Sequence, residues 1–245
     1  MRFVLVHGGG FDARCWDEMI PALRADAIAV DLPGRGRHPA DLDSVTLDGW
    51  AHSVVVDIAE VDEVDESNPP DLILVGHSMA GLTLPRVVNL IPERIRHVVF
   101  VSCSVPAHGR TMLDVLSAHF DRQISTRAGE AGTQAENQSA TMSADLAVAM
   151  FCNDMTPAQT ETTLSLMVPE AAGPLAEPAD NSGLAHPIPR SWVRLSRDAI
   201  VSPATQDRFI ATVGDLDVID LDAGHMAMLS RPDELAAILN RIADL

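Results

Sequence analysis

Ser78 lies in LILVGHSMAG (72–81), where four aliphatic residues lead into a serine with Gly76 and Ala80 two positions to either side. A strand that turns sharply into a helix brings such flanking positions together, so only small residues fit, and Gly81 leaves the helix room against a sheet. The turn would hold the serine hydroxyl up as a nucleophile. A hydroxyl is weak in that role until a base takes its proton. His225, in LDAGHMAML, follows directly on the apolar run Leu216–Leu221 and would reach the same sheet edge. The base in turn needs an acid that fixes its tautomer and stabilises its cation. Asp198, in WVRLSRDAIVSP, stands just after another apolar run and can supply it. The chemistry of such a set is attack of the serine oxygen on an acyl carbon, with the proton passing to histidine.

Other residues of the same types have plainer readings. Asp222 sits three residues before His225 in one loop, where it would turn or cap the backbone, and Asp207 and Asp215 belong to a helix or its end. His77 points away from its neighbour in such a turn and supports it. His7 orders the adjacent glycines. His38, His52, His97, His108, His119 and His186 are surface or packing residues. The developing oxyanion needs N–H donors. His7-Gly8-Gly9-Gly10 lets the backbone approach closely, and the N–H groups of Gly9 and Met79 are the expected pair. A phosphate loop is the competing reading, but the GxGxxG spacing, its following acid and any GKS/T motif are missing.

The elements that would position these residues are six buried runs: Phe3–Val6, Ala27–Val30, Leu72–Val75, His97–Val101, Trp192–Leu195 and Leu216–Leu221. Their Val, Ile and Leu content suits parallel strands covered on both faces. Helices are expected at Trp16–Arg24, Trp50–Val61, Gly81–Leu90, Ser202–Thr212 and Pro232–Leu245. The alternation predicts an α/β fold, doubly wound, with a mainly parallel sheet. From Val105 to Pro189 the alternation breaks. Helices at Thr111–Phe120, Ser143–Phe151 and Pro157–Met167 predict a cap inserted after the fourth strand, within one domain whose core is 1–104 and 190–245. Such a cap would cover the carboxyl ends of the strands, where these sheets bind ligands. Five of the ten methionines fall in it: Met112, Met142, Met150, Met155 and Met167. They either fill gaps in a core or line a soft pocket. Phe11, Met150, Phe151 and Met155 are the expected substrate contacts, with Gly8 and Met226.

The 245 residues, 47% of them hydrophobic, suffice for a large core. No apolar run approaches the roughly 20 residues of a membrane span, and Phe3–Val6 is too short for a signal segment, so a cytoplasmic protein is expected. Against 35 acidic side chains stand 17 basic ones, all arginine, for a net charge of −18. There is no basic stripe for nucleic acid, and neither an anionic membrane nor a polyanionic substrate suits this charge. The acidity is densest over Asp57–Asp71, seven residues in fifteen, as on a solvated helix and loop. Cys15, Cys103 and Cys152 offer neither a disulfide framework nor a metal spacing. A homodimer is left open.

These motifs resemble the α/β-hydrolase superfamily, in particular its small-esterase branch of plant methylesterases, hydroxynitrile lyases and bacterial carboxylesterases. FVLVHGGG, DLPGRG (31–36), LVGHSMAG, VVFVSCSVP and HMAMLSRPDEL (225–235) fall in the family's order. The resemblance implies a triad of Ser78, Asp198 and His225, a helical cap near Val105–Pro189, a small-molecule ester substrate, and neither metal nor organic cofactor. Ala80 replaces the more common glycine but is still small. The cap matches less well, so substrate identity does not carry over. A lactone or thioester would use the same machinery, as would an acyl-transfer or cyclising enzyme, and a slow-turnover receptor could retain it. The family's lyases place a lysine directly after the catalytic histidine, where this chain has Met226, and a threonine where it has Gly8. Gly8 should leave space for an ester group, and both residues should face the pocket. Without any lysine, only a cap arginine such as Arg110 or Arg127 could supply positive charge.

Overall fold

The computed structural model describes residues 1–64, 71–116 and 144–245. Six strands form one sheet: β1 (Arg2–Val6), β2 (Asp26–Val30), β3 (Leu72–His77), β4 (Ile95–Val101), β5 (Arg190–Leu195) and β6 (Asp217–Leu221). Their order is β2-β1-β3-β4-β5-β6, and every pairing is parallel. All residues of β1 and β3 are buried, which accounts for their unbroken apolar runs. Successive side chains point to opposite faces. Val4 and Val6 therefore pack with Trp50, Val54 and Val87 on one face, and Phe3 and Leu5 with Trp16, Leu235 and Leu239 on the other.

The helices that cover the sheet are α1 (Leu47–Val64), α2 (Leu84–Leu90), α3 (Ala144–Phe151), α4 (Pro157–Ser165), α5 (Pro203–Val213) and α6 (Pro232–Ala243). The helix expected over Trp16–Arg24 does not form. Two 3₁₀ turns, Ala13–Trp16 and Ile20–Ala22, take its place. Pro21 sits in its middle, where it has no N–H to give and crowds the preceding turn. Gly81–Leu90 likewise divides into a 3₁₀ turn, Ser78–Leu82, and α2. The C-terminal helix grips the N-terminal segment. Asn240 accepts from Arg24 N–H at 2.8 Å and donates to the Ala22 carbonyl at 2.9 Å.

The insertion between β4 and β5 has two characters. Helices α3 and α4 lie at the carboxyl edge of the sheet, where Asn153 donates to the Arg197 carbonyl and Gln159 to that of Leu229. The later part runs back beside α1 and α2. Ala171 and Ala179 belong to the Trp50 cluster, and a Cβ on Gly183 would lie 1.9 Å from the Pro85 carbonyl oxygen. Ala171, Ala179 and Gly183 thus tie this later part to the core beside α1 and α2. A helix occupies 112–116. The expected extension to Phe120, the start at Ser143, and Met142, His119 and Arg127 lie outside the described residues. Among the described residues no helix is long and apolar enough to cross a membrane.

Candidate active site

The chain leaves β3 at His77 and enters a 3₁₀ turn at Ser78, which has φ +54°. Positive φ is rare for a residue with a side chain and marks a backbone held by its surroundings. The neighbours are small because there is no room. A Cβ on Gly76 would lie 2.9 Å from the Ala80 Cβ, and one on Gly81 would lie 2.4 Å from the Ser104 carbonyl oxygen. Alanine is accepted at position 80 because position 76 has no side chain.

His225 and Asp198 arrive from the loops after β6 and β5. His225 Nε2 stands 3.0 Å from Ser78 Oγ, and His225 Nδ1 stands 2.7 Å from Asp198 Oδ2. The side chains of His225 and Asp198 are 2% and 0% exposed. The same Oδ2 accepts a 2.6 Å bond from Ser102 Oγ, and Oδ1 accepts the N–H groups of Ile200 and Val201 at 2.8 Å. Burial pushes this carboxyl group up, but the charge and hydrogen bond of His225, with the bonds from Ser102 and Val201, outweigh it and hold it below the usual range. Ser102 also has positive φ, at +42°. Nothing in the type or spacing of a serine singles it out, although it directly follows β4. Asp222 faces outward, bonded to Ser196 and Arg197, as a loop-turning residue should be.

The two neighbouring histidines are structural and neutral. His77 Nε2 donates to the His225 carbonyl at 2.9 Å, which fixes the backbone of the base. Burial, then the nearby His225, keeps its imidazole well below the ordinary pKa. His7 Nδ1 donates to the Gly8 carbonyl at 2.8 Å, and its Nε2 accepts from Leu32 N–H at 3.1 Å. Burial and the charge of Arg35 lower its pKa from 6.5 to about 4.

Gly9 and Met79 come together beside Ser78, and a Cβ on Gly9 would lie 2.5 Å from Met79 Sδ. The Met79 N–H belongs to the first turn of a helix and has no acceptor within it. A Cβ on Gly8 would lie 2.8 Å from Ser78 Cβ and 3.0 Å from His77 Nδ1, so this glycine lets the serine approach closely. Phe11 and Phe151 meet edge to face at 5.2 Å, and Phe151 stands 5.9 Å from the His225 ring. They form an apolar wall against His225. Met150 and Met155 pack half-buried against the same cluster, and Met226 lies wholly buried in it. Arg110 pairs with Asp114 at 3.5 Å on the exterior. Among the described residues no cluster of His, Cys, Asp and Glu is arranged to hold a metal, and the three cysteines are buried and free.

A parallel sheet with a positive-φ serine after its third strand, and an acid and a histidine after the fifth and sixth, is the arrangement of the α/β-hydrolases. The chain belongs to the alpha/beta hydrolase family, whose model matches residues 3–238. It is 29% identical over 260 residues to the rice (Oryza sativa) protein named "Probable esterase PIR7A", covering 99% of this chain and 96% of that one. To polyneuridine aldehyde esterase of Rauvolfia serpentina it is 28% identical over 267 residues, with coverage of 99% and 96%. An extracellular alpha/beta-hydrolase of a Paenibacillus species superposes with a TM-score of 0.78 at 25% identity, over 98% of each chain.

Proposed function

We propose that this protein is a serine esterase that cleaves a carboxylic ester of a small to medium, mainly apolar molecule. The observation that carries the reading is the buried hydrogen-bond chain Ser78–His225–Asp198, with spacings of 3.0 and 2.7 Å. His225 takes the Ser78 proton as Oγ attacks the ester carbonyl. The resulting oxyanion accepts hydrogen bonds from the Gly9 and Met79 N–H groups. Collapse of the intermediate breaks the bond to the alcohol oxygen, which receives the proton from His225, and leaves an acyl-serine. Water, deprotonated by His225, releases the acid and restores the serine. The Phe11–Phe151 wall favours an apolar group beside the base. Met226 supplies no charge for a departing cyanide, which favours ester over cyanohydrin. A fluorophosphonate should add one label per chain, at Ser78, and p-nitrophenyl acetate should be turned over while mandelonitrile is not. Labelling at another residue of active enzyme, or Ser78-dependent cyanide release exceeding ester hydrolysis, would overturn the reading.

A further inference from the structure

One carboxylate beside the glycine loop takes no part in the chemistry above. Glu170, from the insertion, accepts the Gly10 N–H on Oε2 at 2.7 Å, and the Gly10 carbonyl accepts the Val168 N–H at 2.9 Å. The Glu170 Oε1 takes the Ala171 N–H at 2.9 Å and a guanidinium bond from Arg35. Arg35 also donates to the Phe11 carbonyl at 2.8 Å, and its carbon lies 5.7 Å from the centre of the Trp50 ring. Its side chain is only 1% exposed, and that of Glu170 is 23% exposed. Three consecutive glycines make a loop with much conformational freedom, and Gly10 itself sits at φ +73°. A donor on such a loop stabilises an oxyanion only if it is already aimed when charge develops. The clamp grips the loop at Gly10 and Phe11, the positions that directly follow Gly9.

We propose that Glu170, held by Arg35, is a positioning residue for the oxyanion hole, so that the insertion and the DLPGRG turn jointly aim the Gly9 N–H. The proposal rests on the esterase reading of Ser78. Arg35 has a second part in it. The Glu170 Oε2 would lie 3.0 Å from a Cβ on Gly9, so the carboxylate stands directly against the loop that carries the donor. The buried guanidinium neutralises it. The wild type, Glu170→Gln and Glu170→Ala should be compared on a p-nitrophenyl ester and for inhibition by a trifluoromethyl ketone, whose serine adduct places an oxyanion in the hole. The alanine variant should lose on the order of 10–10²-fold in kcat, with KM within about threefold and ketone affinity falling in parallel. In Glu170→Gln the amide NH2 must face a donor, since the Gly10 N–H holds one oxygen and Arg35 with the Ala171 N–H the other, so glutamine should recover only part of the loss, and Ser78→Ala should be inactive. Both variants keeping kcat within threefold of wild type would overturn the proposal alone. So would a loss confined to KM, or one with unchanged ketone affinity. Ester turnover that survives Ser78→Ala would overturn the esterase reading as well.

Discussion

Four donors converge on the two oxygens of Asp198, and His225 is one of them. Replacing it with asparagine keeps the shape but lets the amide favour the wrong imidazole tautomer. Asp198→Asn should therefore fold and lose up to ~10⁴-fold in kcat. Asp222→Asn, changed on an exposed loop, should stay within about threefold by the same kinetics. A reversed result would reassign the acid. Ser102→Ala removes one charge-assisted donor and leaves the His225 contact, so a loss of roughly tenfold is expected, equivalent to about 1.4 kcal/mol. Asp198 and His225 were legible in the sequence because base and acid chemistry admits few residue types and both follow apolar runs. Ser102 was not, because a serine directly after an apolar run announces no partner, and Ser104 in the same segment is of the same type. Glu170 and Arg35 were invisible for another reason: their meeting depends on how the insertion folds back.

At the scale of elements, the strands were the legible part, since burial on both faces leaves a continuous apolar run as its trace. Proline misled only inside a run: helices that begin at Pro157, Pro203 and Pro232 form as expected, whereas the run with Pro21 in its middle breaks into 3₁₀ turns. The insertion was readable as an interruption only. Nothing in its sequence separates α3 and α4, at the sheet's carboxyl edge, from the stretch around Gly183 that packs on α2. This division bears on specificity. Phe151 ends α3 between Phe11 and the His225 ring, so its removal should alter the pocket more than the core. Phe151→Ala should change the ranking of kcat/KM across p-nitrophenyl esters of increasing acyl length, with the longer apolar acyl groups losing most. An equal loss on every ester, with a large fall in Tm, would show that Phe151 merely fills the core.

Across the whole molecule, the buried neutral histidines link stability to pH. The unfolded chain binds protons at histidine near the ordinary value of 6.5, whereas folded His7 resists until about 4 and His77 is also strongly lowered. A group whose folded pKa is depressed contributes stability above its unfolded pKa and loses it as pH falls toward the folded one. Unfolding near pH 5.5 should thus take up about two protons at these sites, and the free energy of unfolding should fall by about 2–3 kcal/mol per pH unit there. The net charge of −18 acts oppositely, since acidification relieves self-repulsion. Carboxylates titrate mostly below pH 5, however, so the histidines dominate between about 5 and 6.5. Urea unfolding at several pH values in that window checks this, and a flat profile would contradict it.

The grip of Asn240 on Ala22 and Arg24 also bears on how the chain is made. A ribosome delivers β1 well before α6, yet the face carrying Phe3, Leu5 and Trp16 is covered by Leu235, Leu239 and Ile242 of that helix. Until α6 emerges, the nascent chain leaves that apolar face open to water or to a chaperone. His225 emerges just ahead of that helix, so Ser78 lacks its imidazole partner until 147 further residues have been made. Acquisition of ester turnover would therefore report the emergence of α6, and a chain stalled before Pro232 would be a client for chaperones and proteases.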